Sequence, residues 1–104
     1  MISLYGPEVG KNVSVASGVI GTSGKPQALY GYAFKSSANA GTIAFFDGTS
    51  SVSPSTIVFD DTGTINVTKV VPLKAAVVFP TGLYVSLDGN IDRVTCFVRQ
   101  VRTA

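Results

Sequence analysis

The chain has 104 residues, the length of one domain, and a formal net charge of +2 from eight Lys and Arg against six Asp and Glu. It has no His and a single cysteine, Cys96, which excludes an internal disulfide and any His-based nucleophilic triad and nearly excludes a zinc site. Charged residues make up only 13% and hydrophobic residues 45%, where an average soluble domain is about a quarter charged, so either burial is efficient or a partner covers part of the surface.

The start, MISLYGPEVGKN, has neither a charged n-region nor an apolar h-region, so no secretory leader is expected. The longest apolar run, Ala75 to Phe79, is far too short to span a bilayer as a helix, and no membrane partner is expected. Residues 1–28 differ from the rest. Between Gly6 and Gln27 they carry five Gly and two Pro, and they read either as an arm that orders on a neighbouring subunit or as a first strand between loops. Residues 29–104 read as the body of the domain.

No stretch has helical periodicity, and short apolar runs recur between Gly, Asp, Asn, Ser and Pro. Asn12–Ile20 alternates through Val13, Val15 and then Val19. Leu29–Ser36 places Tyr30, Tyr32 and Phe34 on one face, with Gly31 and Ala33 on the other. Thr42–Asp47 ends at Asp47-Gly48, read as the turn that folds the chain back, with Asp47 capping backbone amides there. Thr56–Asp60 and Thr64–Val71 flank Asp61-Thr62-Gly63, which reads as a hairpin turn. Lys74–Phe79 and Leu83–Leu87 flank Pro80-Thr81-Gly82, and in the second of these Leu83, Val85 and Leu87 face one way. Arg93–Val101 follows the Asp88-Gly89-Asn90 turn and closes the chain. About eight strands in one domain predict an all-β fold, a single-domain β-sandwich of jelly-roll type.

The motifs that suggest chemistry each meet an obstacle. Asp61-Thr62-Gly63 after Ile57-Val58-Phe59 resembles the retroviral-type aspartic proteases, in which two chains share a proton between adjacent carboxylates. Asp60, however, stands where that family has an apolar residue, and the apolar-apolar-Gly near that family's end has no good match. Asp60-Asp61 and Asp88…Asp92 lack the ligand spacing and closing Glu of an EF-hand. Gly6…Gly10-Lys11-Asn12 is one residue short of a P-loop and lacks its hydroxyl. Cys96 alternates with Val94 and Val98 and reads as a buried hydrophobe. The basic residues are scattered, so nucleic acid is not an expected partner. No catalytic, cofactor or metal residues are assigned, and the chain is not expected to be an enzyme.

From Leu29 to Ser51 the sequence reads LYGYAFKSSANAGTIAFFDGTSS, and from Gly82 to Gly89 GLYVSLDG, before the closing VTCFVRQV. This resembles a group of small all-β virion proteins of tailed bacteriophages over roughly Leu29 to Val98. The resemblance implies a capsid decoration, or cement, protein. Such a protein is made in the host cytoplasm, sits on the capsid exterior across major capsid subunits, and is often a homotrimer. Tyr5, Lys11, Tyr30, Tyr32, Arg99 and Arg102 are the expected interface residues. A tail, neck or head-fibre component, or a carbohydrate-binding module stacking sugars on Tyr30 and Tyr32, are the alternatives.

Overall fold

The structure, a computed structural model, describes residues 10–14 and 16–101. The strands are β1 (Gly10–Ser14), β2 (Gly18–Ile20), β3 (Gln27–Ser36), β4 (Thr42–Asp47), β5 (Thr56–Thr62), β6 (Thr68–Phe79), β7 (Leu83–Leu87) and β8 (Ile91–Gln100). There is no helix among the described residues. Sheet I runs β1-β8-β3-β6 and sheet II runs β2-β7-β4-β5, and each pair of neighbours is antiparallel.

Alternation decides which side chains meet between the sheets. Leu29, Tyr32 and Phe34 of β3, Val94, Cys96 and Val98 of β8 and Phe79 of β6 face Ile20, Ile43, Phe45, Leu83 and Val85 of sheet II. Phe45 lies at the centre. Its ring stacks on Phe59 of its own sheet at 4.6 Å and meets Tyr32 of the opposite sheet at 4.8 Å. Aromatic pairs at these separations add about 0.5–1.5 kcal/mol each beyond the area they bury. Cys96 is fully buried, and burial pushes its thiol up to about 12, which leaves it a protonated, inert hydrophobe at neutral pH.

Four sequence-based expectations need correction. First, Tyr30 does not share a face with Tyr32 and Phe34. Both neighbours of β3 slip register between Leu29 and Gly31, so Leu29 and Tyr32, three apart, both reach the core and Tyr30 is turned outward. Second, the expected strand Asn12–Ile20 is two strands in different sheets, β1 and β2. Third, Thr64 to Val67 form a turn, with Val67 N donating to Thr64 O at 3.0 Å, and the rest of Thr64–Val71 joins Lys74–Phe79 in one strand, β6, that runs through Pro72. Proline is tolerated there because β6 is an edge strand, whose outer amides face no partner strand among the described residues. Fourth, Asp61-Thr62-Gly63 is not a hairpin turn. It carries the chain out of sheet II towards β6 in sheet I, and the connections at Pro80–Gly82 and Asp88–Asn90 also cross between sheets.

The two Asp-Gly pairs anchor β4 at its ends. Asp47 caps an amide distant in sequence: its Oδ1 accepts from Thr81 N at 2.8 Å, across the β6–β7 connection. Gly48 N donates to Gly82 O at 2.9 Å, and a Cβ on Gly82, whose φ is +142°, would stand 2.9 Å from that Gly48 carbonyl. At the other end Asp88 Oδ2 accepts from Thr42 N at 2.8 Å, and Asp88 Oδ1 from Asn90 N at 2.8 Å. β4 and β5 do pair as expected of a fold-back, through a connection spanning residues 48–55.

Phe45→Ala should cost about 3–5 kcal/mol, the range for emptying a buried aromatic site. Urea unfolding followed by far-UV circular dichroism measures it, and a loss below 1 kcal/mol would mean that the sheets do not pack through this ring.

Candidate interaction surface

Outward-facing residues of β3, β6 and β8 build the outer face of sheet I. Tyr30 and Arg99 meet there, with the guanidinium carbon 5.7 Å from the ring centroid. Lys35 and Arg93 are directly opposed on β3 and β8. Like charges in that relation are destabilising, and Asp92, 3.8 Å from the Lys35 amine, offsets only one of them. Ala33, Lys35, Thr68, Arg93 and Thr95 line a shallow notch of about 130 Å³ between them. Val70 and Val78, 67% and 51% exposed, extend the face along β6.

The outer face of sheet II has different chemistry. Val19, Tyr84, Phe46 and Ile57 stand in register across β2, β7, β4 and β5, one from each strand. Phe46 and Tyr84 meet edge to face at 6.3 Å, and Ile57 is 51% exposed. Beside this row lie Ser86, Ala44 and Asp60, then Thr42 and Thr62, whose hydroxyls are 3.1 Å apart. Asp60 is the only carboxylate or amine among these residues.

The structure separates the expected interface residues. Tyr30 and Arg99 come together on sheet I. Lys11 takes the register position opposite Phe97 on the same sheet. Tyr32 is 4% exposed and belongs to the core, so it offers no stacking platform with Tyr30. Tyr5 and Arg102 lie outside the described residues. Sequence reasoning missed Lys35, Arg93, Phe46 and Ile57. The adjacent pair Phe45-Phe46 was a usable signal, because two consecutive aromatics on one strand must put one ring on each face.

Asp61, the residue of the protease-like motif, serves another purpose. Its Oδ2 accepts from Tyr32 O–H at 2.7 Å and its Oδ1 from Lys69 Nζ at 2.6 Å. Burial alone would raise this carboxyl. The hydrogen bonds from Lys69 and Tyr32, with the Lys69 charge, outweigh burial and hold it below its ordinary range. Burial, reinforced by Asp61, moves the Tyr32 hydroxyl the other way, well above its usual value. An aspartate that must share a proton needs the opposite setting. At the Asp47 end of the sandwich a cleft of about 300 Å³ is lined by Asp47, Thr49, Ser55, Thr56 and Thr81 with Gly48 and Pro54. Ser55 Oγ is occupied there, accepting from Thr49 N and Ser50 N at 3.2 Å each. Among the described residues no group of three or more His, Cys, Asp or Glu is arranged to hold a metal ion.

Comparison with protein-family models, with curated proteins and with solved structures finds no match to this chain.

Because its folded-state value is depressed, Asp61 contributes stability that is present above the unfolded carboxyl value, about 4, and lost as pH falls through the lower folded value. Asp61→Asn should therefore destabilise the domain by about 1–3 kcal/mol at pH 7, and the difference from the parent should shrink in acid. Denaturant midpoints of both proteins at pH 7 and at pH 2–3 check this; a difference that persists unchanged in acid would contradict an ionised clamp.

Proposed function

We propose that the chain is a structural virion protein, a capsid decoration protein that binds across major capsid subunits by the outer face of sheet I. The observation that carries this reading is the direct opposition of Lys35 and Arg93. A free domain gains nothing from placing two cations on facing strands, and Asp92 neutralises one of them. An acidic partner surface removes that penalty. Tyr30, stacked under Arg99, and the exposed Val70 and Val78 surround the cations with apolar area. Aromatic and Arg anchors with aliphatic neighbours are the composition of a protein interface.

The strand orders favour the finer reading of the fold as a jelly roll. The first strand pairs with the last, β3 lies between β8 and β6, and every connection except β4–β5 crosses between the sheets. Jelly rolls recur in viral capsid and lectin domains. The fold does not select between those uses; the sheet I surface favours protein contact over sugar stacking. A cement protein needs contact area rather than reactive groups, and many weak contacts on one shell add through avidity.

Two measurements test this reading. Quantitative mass spectrometry of purified particles should find the chain near stoichiometric with the major shell protein; a dozen or fewer copies would place it at a neck, tail or vertex. Lys35→Glu with Arg93→Glu should weaken attachment at least about tenfold and reduce its salt dependence, while the domain stays folded. Unchanged attachment of this variant would remove sheet I as the contact face.

A further inference from the structure

We infer that the outer face of sheet II is a self-association face, on which a second copy of this chain docks in a two-fold dimer. The occupant follows from charge. On sheet I, Lys35, Arg93 and Arg99 would meet their own copies if two such faces packed together, and like charges brought together across an interface are repelled. The outer face of sheet II carries the apolar row Val19, Tyr84, Phe46 and Ile57, and Asp60 is the only carboxylate among the residues beside that row. A copy of itself is therefore an acceptable partner for sheet II and an unacceptable one for sheet I.

The row also has the form an isologous contact needs. It runs straight across four strands, perpendicular to them, so a two-fold axis through the Phe46–Tyr84 pair lays each row along its copy. Both aromatics then sit near the centre, where buried rings contribute most, and Ile57 of one copy lies towards Val19 of the other. Asp60 is on β5, at the edge of the sheet, where its carboxylate stays at the wet rim.

Area sets the strength. Four strands at about 4.8 Å spacing and a strand of some 20 Å give a flat footprint of roughly 400 Å². A stable specific interface covers about 800 Å² per partner. The footprint falls short of that, so the dimer is a reversible one, to be sought at high protein concentration. A face-to-face pair is also closed, and differs in symmetry from the threefold ring that the virion resemblance implies.

The test needs no particles, so its failure and that of the shell-binding reading are separable. Sedimentation equilibrium of the full chain up to about 1 mM should show monomer and dimer. Phe46→Glu should raise the dissociation constant at least about tenfold by placing like charges at the centre of the contact. Ile57→Lys, on the exposed edge strand, is a second variant less able to disturb folding, and should weaken the dimer in the same direction. Asp60→Asn should leave it intact or tighter. Circular dichroism confirms that each variant is folded. A monomer at every concentration, a threefold assembly, or a dimer unaffected by both Phe46→Glu and Ile57→Lys overturns the inference.

Discussion

Phe45, Tyr32 and Phe59 meet between the two sheets, and the polar end of Tyr32 sets a further requirement. A tyrosine at 4% exposure needs a partner for its hydroxyl, and Asp61 supplies it. Asp61 in turn is partly buried and is held charged by Lys69. Tyr32 belongs to β3, Asp61 to β5 and Lys69 to β6, so the chain of contacts passes from sheet I to sheet II and back. It crosses at the side of the sandwich where both sheets end in edge strands. Two edges that share no backbone ladder are joined there by a hydrogen-bonded ion pair and a stack of rings.

That arrangement separates inside from outside. The inner faces are fixed by volume, since Ile43, Phe45, Leu83, Val85, Val94 and Cys96 are all fully buried and leave little room for substitution. The outer faces carry no such constraint. Alternation lets one strand serve both, as β4 does with Phe45 inward and Phe46 outward. Two surfaces of unlike chemistry, one cationic and one nearly neutral, are thus built on opposite sides of a single small core.

Much of this was legible in the sequence, and the failures have physical causes. The limits of β4 and β7 follow from alternation and bounding turn residues, and both agree with the structure. The slip in β3 does not show in the sequence, because Leu29-Tyr30-Gly31-Tyr32 alternates well enough without it. Gly31 permits it: a Cβ there would stand 3.0 Å from the Val71 carbonyl, so β6 approaches closely only past a glycine. Turn chemistry also misleads about connectivity. Asp-Thr-Gly reverses a chain equally well within a sheet or between sheets, and local residues do not distinguish the two. The basic notch is invisible for a related reason, since Lys35 and Arg93 are neighbours only through the β3–β8 pairing.

The edge strands show how the two surfaces remain distinct. β6 has Pro72 in mid-strand and a break in register with β3 between Val77 and Pro72, both of which discourage another strand from adding to its free side. β5 shares only the second device, a register shift against β4 at Val58: Thr56–Thr62 contains no proline and no lysine, and Ile57 and Val58 are exposed. Its further protection is electrostatic, from the adjacent Asp60 and Asp61, of which only Asp61 is paired with a cation among the described residues. An open-ended strand addition along β5 would bring the unpaired Asp60 charges of successive copies together, whereas a closed face-to-face pair keeps them at its rim. The Asp60 carboxylate thus favours a contact that terminates over one that propagates.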